Sequence, residues 1–343
     1  MRPVYPFTAF VNQEQLKLAL ILNAINPRIG GVLIRGAKGT GKSTIVRALV
    51  DLLPEINVVA DCGFSCDPYD VTNMCEMCRL RKYNGEQLPV EPRKMRVVNL
   101  PVGATDDRVV GTLDIELAIK EGVKALEAGI LAAANQNVLY VDEINLLPDH
   151  IADIILDAAA SGWNVVEREG ISIQHPSRFI FVGTMNPEEG ELRPQLLDRM
   201  ALHTEVATIR EQELRVEIMK ANIMFEDDPI TFRQQYQTQQ ADMLHRINRA
   251  KKILPTTVLS DHLLEAIARM CIALEIDGHR PDIVIVKTAK TLAAYNGVEA
   301  VTPEDVLTAS LLALSHRTRN LGIEPPATPE EIGAEFRSGL SSI

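Results

Sequence analysis

The stretch that most limits what this chain can become is Gly36-Ala37-Lys38-Gly39-Thr40-Gly41-Lys42-Ser43, with Thr44 following. It has the form G-x-x-x-x-G-K-[ST], a phosphate-binding loop. The flanks give the pattern its meaning. Gly31-Val32-Leu33-Ile34-Arg35 is a short apolar strand entering the loop, and residues 43–53 leave it with helical spacing. Glycines let successive backbone N–H groups turn inward as an anion nest, which the helix N-terminus reinforces. In such a loop Lys42 reaches the β- and γ-phosphates and the Ser43 hydroxyl sits on Mg2+.

A second anchor is Val138-Leu139-Tyr140-Val141-Asp142-Glu143, an apolar strand ending in adjacent acids. Buried parallel strands read as continuous apolar runs, and their C-terminal ends carry the site. There Asp142 would organise Mg2+ through water and Glu143 would polarise the attacking water. A third strand, Arg178 to Met185, runs into Asn186-Pro187. Asn186 positions that water, or reads the γ-phosphate, or caps a turn before the proline. Arginines in Leu192-Arg193-Pro194-Gln195-Leu196-Leu197-Asp198-Arg199 suit phosphate neutralisation, possible across a subunit boundary, or serve as surface ion pairs.

The chain's 343 residues suffice for a sizeable core and two domains. A net charge of -11 argues against a large non-specific nucleic-acid footprint, so no nucleic-acid partner is expected. No apolar run approaches membrane-spanning length, and the N-terminal MRPVYPFTAF lacks the apolar core of an export signal. The expectation is a cytoplasmic protein with no membrane partner. Cys62, Cys66, Cys75 and Cys78 are spaced C-x3-C-x8-C-x2-C, whereas Cys271 stands alone in an apolar helical context. The cluster fits four-thiolate zinc, an iron–sulfur cluster, reduced free thiols or a thiol switch; in each case the bland role is to staple an irregular loop. Cys271 reads as a core thiol.

Between these anchors the spacing predicts a helix from about residue 13, with Leu16, Leu20 and Ile21 buried, and strand 96–100. Short helices are expected at 114–119 and 129–134, and an amphipathic helix at 151–160. Residues 163–173 read as a hairpin around Glu169-Gly170, with Trp163 either core or contact surface. From about Arg210 the texture turns helical: 211–224, 234–250, 261–274, 282–295 and 303–317, the last with Thr302 as cap and Pro303 in its first turn. No pair of histidines has ligand spacing, and none is read as catalytic.

The order of loop, acidic strand, Asn-bearing strand and late arginines resembles the AAA+ class. The segments GGVLIRGAKGTGKSTIVRALVDLLPEI, LPVGATDDRVVGTLDIE, LYVDEINLLPDHIADIILDAAASGWNVVEREGISIQHPSRF, VGTMNPEEGELRPQLLDR and CIALEIDGHRPD resemble the I subunit of magnesium chelatase over nearly the whole length. The resemblance implies an α/β fold: a P-loop AAA+ core with a parallel sheet flanked by helices (1–208) and a C-terminal all-helical lid (209–343). The cysteine segment reads as an insertion at about 60–85, and the resemblance places a helix-2 insertion at about 100–125 and a hairpin insertion at about 162–176. Asn186 matches sensor 1, Arg199 the arginine finger with Asp198 beside it, and Arg280 sensor 2.

The same resemblance implies ATP hydrolysis between subunits of a homo-hexameric ring, with Lys42, Ser43, Asp142 and Glu143 as actors. Partners would be a D-like subunit and an H-like subunit in which metal and protoporphyrin IX meet. Lys287 and Lys290 stand where the family commonly has arginine, and Pro281 where a glycine is expected. The cysteine segment is also a departure from the photosynthetic subunits. A motor of a cobalt or other tetrapyrrole chelatase, or a MoxR-like chaperone, would read similarly.

Overall fold

The computed structural model describes residues 3–113, 126–168, 171–317, 319–320 and 323–341. Its strands are β1 (Val32–Gly36), β2 (Ile56–Val59), β3 (Val90–Arg93), β4 (Val97–Leu100), β5 (Gly111–Leu113), β6 (Leu126–Ala128), β7 (Val138–Val141), β8 (Trp163–Arg168), β9 (Ile171–Pro176), β10 (Ile180–Met185) and β11 (Leu202–Val206). Five of them form one sheet in the order β11-β1-β10-β7-β4. β11 runs parallel to β1, and β10 and β4 run parallel to β7, with Val32 opposite Leu202 and both Ile180 and Val97 opposite Val138. Parallel neighbours need crossovers, which is why helices separate these strands in sequence. Every residue of β7 and β10 is buried, the pattern of strands covered on both faces.

The chain divides into two compact units, Met1–Leu52 with Thr184–Ile343, and Leu53–Gly183. The sequence boundary expected near 208 falls inside the first of these.

In the first unit the helix Glu14–Ile25 buries Leu16, Leu20 and Ile21 as its spacing predicts. Beyond β11 come helices Gln212–Asp227, Pro229–Gln235, Gln237–Ile253, Asp261–Ala273, Arg280–Asn296, Pro303–Leu314 and Pro329–Ser341. The capping box at Thr302 and Asp305 is complete: Thr302 Oγ1 accepts from the Asp305 N–H, and the Asp305 carboxylate accepts from the Thr302 N–H at 2.9 Å. Cys271 is a buried core thiol, and burial pushes it above the ordinary thiol range. The last helix has no counterpart in the sequence reading. Its Ile332 and Phe336 are buried, and a Cβ on Gly339 would meet the Ala266 carbonyl at 3.2 Å, so that glycine permits the close helix approach.

Where β11 meets the end of helix Pro303–Leu314, two histidines are buried together. The His203 and His316 rings lie 5.3 Å apart; His203 Nδ1 pairs with Ser315 Oγ at 3.1 Å. Burial, with Arg35 nearby, lowers His203 to about 4, and burial holds His316 well below its usual value. Both are therefore neutral in the fold, while the unfolded chain takes up protons below about pH 6.5. Stability should fall as pH drops from about 6.5 toward 4, by up to about 1.4 kcal/mol per pH unit per histidine. Denaturant titrations of wild type and His203→Asn at pH 7 and pH 5 check this; the variant should lose less on acidification.

In the second unit β2–β3, β5–β6 and β8–β9 are antiparallel pairs. Helices Glu76–Tyr83, Asp106–Val110, Ile130–Ala134 and Asp149–Ser161 complete it. The short helix expected at 114–119 lies outside the described residues. The hairpin is present, with Trp163 opposite Pro176. Trp163 itself is half-buried and carries the Arg79 guanidinium 5.7 Å over its ring. No helix among the described residues is long and apolar enough to cross a membrane.

Candidate functional site

The phosphate loop lies in the first unit between β1 and the helix Lys42–Leu52. Gly39 and Gly41 have φ of +81° and +80°, left-handed values that an L side chain rarely adopts. Gly36 is needed for a different reason. A Cβ there would sit 2.6 Å from the Val206 carbonyl oxygen and 3.2 Å from the Val206 Cβ, against fixed strand backbone. Gly36→Ala should therefore push the loop off β11, with a cost of about 1–3 kcal/mol and a loss of nucleotide affinity. Thermal unfolding and nucleotide titration read the two effects separately.

Lys42 Nζ donates to the carbonyls of Gly36 and Ala37, the latter at 3.0 Å, and Thr40 Oγ1 donates to Ala37 O at 2.9 Å. The ammonium group is thus held inside the loop. Ser43 follows in the first turn of the helix, whose N-terminus favours an anion. Beside the loop opens a cavity of about 420 Å³ whose floor includes Gly39, Thr40, Gly41 and Thr44. Its walls combine the apolar side chains of Tyr5, Phe10, Val11, Ile209, Ile218 and Met219 with the polar Gln13, Thr208, Arg215 and Asn222. An anion-binding floor with walls that pair apolar side chains with a few polar groups fits a nucleoside triphosphate: phosphates on the loop, base between the side chains. A wider cavity of about 710 Å³ carries Glu14, Glu205 and Glu211 against Arg210 and no residue of the loop, so it does not suit a polyanion. Tyr5, Phe10, Ile218 and Met219 were not legible as site residues, because apolar side chains near a terminus or on an amphipathic helix read as packing.

Asn186 is buried, and its Oδ1 accepts from the Glu188 N–H at 3.3 Å, capping the turn Pro187–Glu189. Arg199 lies in the turn after the short helix Pro194–Leu197, its N–H on Leu196 O at 3.1 Å. That turn is held by a residue the sequence reading passed over. Arg317, only 2% exposed, donates to Asp198 O at 2.7 Å, to the Asp198 carboxylate, to Met200 O at 2.9 Å and to Ala313 O at 2.9 Å. His316 Nε2 adds a bond to Met200 O at 3.1 Å. Arg280 opens the helix Arg280–Asn296 with Pro281 next, and its charge acts on both Arg317 and Lys287. Lys287 Nζ donates to Arg28 O at 2.8 Å, and burial lowers its pKa.

In the second unit, Asp142 follows the buried strand β7 and accepts from Tyr140 Oη at 3.0 Å. Glu143 has φ +56° and ψ +54°. A non-glycine residue in that region marks strain that the surrounding structure sustains. It turns the chain sharply at the strand's C-terminal end, leaving Asp142 exposed and Glu143 half-buried.

The four clustered cysteines also come together here. Their sulfurs all lie within 4.8 Å of one another, with Cys62 Sγ 3.5 Å from Cys66 Sγ and 3.8 Å from Cys75 Sγ. A tetrahedral ion about 2.3 Å from each sulfur places sulfurs about 3.8 Å apart, so the donor set fits a soft divalent cation. The Cys66 thiol holds Cys62 below the ordinary thiol range, while Cys62 in turn pushes Cys66 up.

Comparison with known proteins extends these observations. Residues 264–336 match the AAA lid domain. The chain is 57% identical to a magnesium-chelatase subunit ChlI homolog of Methanocaldococcus jannaschii, over 96% of this chain and 90% of that one. It is 53% identical to magnesium-chelatase subunit ChlI of Chlorella vulgaris, over 98% and 95% respectively. A structure of the complex between subunits BchI and BchD of magnesium chelatase, based on single-particle cryo-EM, is similar with TM-score 0.56 and 44% identity, covering 98% of this chain and 100% of that one. A putative ATPase of Cytophaga hutchinsonii shares the fold alone, with TM-score 0.61 at 17% identity over 96% and 90%. With a nucleotide loop, an acidic strand end and a helical lid on one chain, and identity above one half along nearly its full length, the chain belongs to the magnesium-chelatase subunit ChlI family of AAA+ ATPases.

Proposed function

We propose that this chain is the ATP-hydrolysing motor of a magnesium-chelatase complex, assembled as a homo-hexameric ring with ATP at each subunit boundary. The observation that carries the reading is identity above 50% with ChlI proteins over almost the entire chain, together with an intact phosphate loop. Residues 36–44 hold the triphosphate, with Lys42 on its β- and γ-phosphates. Ser43 and Asp142 hold Mg2+, which neutralises charge on the phosphates. Glu143 orients and deprotonates the attacking water, Asn186 positions it, and Arg199 and Arg280 neutralise the transition-state charge, Arg199 from the neighbouring subunit.

The functional modules are a core of residues 1–208 and a lid of 209–343. A subunit of the D type docks on the ring, and an H-type subunit inserts magnesium into protoporphyrin IX. The complex works in the cytoplasm. Zn2+ occupies the four-cysteine cluster.

Assembly supplies the test. If Arg199 acts across the boundary, hydrolysis per chain should rise with protein concentration as rings form, and mixed rings of Arg199→Ala and Lys42→Ala subunits should regain activity that neither variant has alone. A monomer hydrolysing ATP at the full rate with Arg199→Ala would sink the proposal. Adding D- and H-type subunits should then yield ATP-dependent magnesium insertion into protoporphyrin IX.

A further inference from the structure

The segment carrying the cysteines has almost no core of its own. Its buried cluster consists of Val59, Met74 and the three thiols Cys66, Cys75 and Cys78, with Cys62, Phe64 and Leu88 partly covered. Three of the five residues buried in that cluster are therefore candidate ligands. β3 beside it is mainly exposed, and small units with so little apolar burial need a staple. The local geometry is that of thiolate ligands held by the backbone. Cys75 is the residue before the helix Glu76–Tyr83, so Cys78 one turn on shares its face. The Phe64 N–H donates to Cys62 Sγ at 3.4 Å and the Cys75 N–H to Cys66 Sγ at 3.0 Å. Such N–H···S bonds orient sulfur ligands and offset their charge. Four protein ligands, three of them buried, leave no open position for substrate, which makes the site structural.

What the cluster holds in place is visible in its contacts. The Phe64 ring stacks on His175 of β9, with centroids 4.8 Å apart and planes 12° apart. His175 is fully buried. Its Nδ1 donates to Pro176 O at 3.0 Å, and its Nε2 accepts from Asn164 Nδ2 of β8 at 2.9 Å. The same Asn164 amide donates to Val110 O at 2.9 Å, at the end of the helix Asp106–Val110. One continuous path thus runs from Cys62 through Phe64, His175 and Asn164 to Val110. A second tie holds the loop from the other side. Asn135 Nδ2 donates to Phe64 O at 2.9 Å, and Gln136 Nε2 donates to Ser65 O at 2.9 Å. Ser65 has φ +49°, so the segment between Cys62 and Cys66 keeps a disfavoured backbone shape only while both ends are fixed.

We propose that the four cysteines form a closed tetrathiolate site for a zinc-class divalent cation, and that the bound ion fixes, through Phe64 and His175, the position of hairpin β8–β9 and of residues 106–113. The coupling deepens the zinc assignment made above and rests on it. Without the ion the four thiols are held only by one another and by the Phe64 and Cys75 N–H groups, the Cys62–Cys66 loop relaxes, and the His175 ring loses the surface it stacks on. The metal thereby sets the geometry of two insertions that lie apart from the phosphate loop in sequence.

Hydrogen exchange on the full chain, read by mass spectrometry, tests this. The protein is compared as purified, after metal extraction under reducing conditions, and after return of Zn2+. Extraction should speed exchange at least about tenfold in peptides spanning 57–93, 106–113 and 163–176, with 36–52 and 303–314 unchanged, and Zn2+ should reverse it. Loosening confined to 57–93 would overturn the coupling. Phe64→Leu separates coupling from metal binding: it should retain about one ion per chain by elemental analysis while deprotecting 163–176. Hairpin protection unaltered in that variant would also overturn the coupling. A chain purified without metal, with four titratable thiols in this segment, would overturn the metal assignment itself, and the Phe64→Leu comparison would still report on the contact path.

Discussion

Replacing Glu143 by Gln is expected to leave ATP bound and to slow its hydrolysis by roughly 10²–10⁴-fold, the range for removing a positioned general base. The substitution keeps size and hydrogen-bonding capacity but removes the ability to take a proton from water. Binding should survive because its main determinants lie elsewhere in sequence: the positive-φ glycines, the Lys42 ammonium and the cavity walls. The strained backbone at φ +56° should be carried by Gln much as by Glu, so the fold should not change. Nucleotide titration and single-turnover hydrolysis at saturating ATP separate the two quantities. An unchanged single-turnover rate would remove Glu143 from the chemistry; a lost affinity would mean that the carboxylate serves nucleotide binding and not proton transfer alone. Hydrolysis measured only at steady state would not distinguish these, since product release limits many such motors.

The chemistry-bearing loops were legible because their constraints are local. A phosphate loop needs positive-φ glycines at fixed spacing, and a fully buried strand must be apolar throughout, so Gly39, Gly41 and Val138–Val141 announce themselves. The cysteine cluster was legible for the same reason: two close pairs can converge only if the intervening eight residues form a loop. What escaped depends on distant partners. Arg317 lies 119 residues from Asp198, and nothing in its neighbours marks it as buried. The helix Pro329–Ser341 has modest apolar content and becomes legible only when Ile332 and Phe336 find their core. Tyr5 and Phe10 line a nucleotide-sized cavity, yet in sequence they are two aromatics in a proline-bordered segment. Asn186 shows the opposite difficulty. Its turn-capping bond is plain in the structure, whereas in sequence the same residue at a strand's end reads equally as a cap or as a site residue.

The pair Arg317–Asp198 should respond unequally to removal of its two halves. The Arg317 side chain is 1% exposed and that of Asp198 is 49% exposed. Asp198→Ala strips the counter-charge from a guanidinium that water cannot reach. Breaking a buried pair in this way costs about 3–5 kcal/mol, and the three carbonyls still bound to Arg317 favour the lower end. Arg317→Met removes the buried charge itself and fills much of its volume with apolar atoms. The carboxylate it leaves behind is half in water, and Met200 O keeps its bond from His316. That variant should cost only about 1–3 kcal/mol. Turnover should show the reverse contrast to stability. Arg317→Met frees the turn bearing Arg199 and should lower ring hydrolysis while remaining well folded and binding ATP with unaltered affinity, whereas Asp198→Ala leaves Arg317 on the carbonyls of residues 198 and 200 and should lower it less. Urea denaturation, nucleotide titration and hydrolysis in assembled rings give the three readouts. Arg317→Lys sharpens the argument: it retains charge but not the fork that reaches Asp198 and Met200 together, so it should behave like Arg317→Met in turnover. If Arg317→Met hydrolysed ATP like wild type in rings where Arg199→Ala is inactive, the clamp would be a stability element only. If it proved less stable than Asp198→Ala, the buried guanidinium would not be the costly partner.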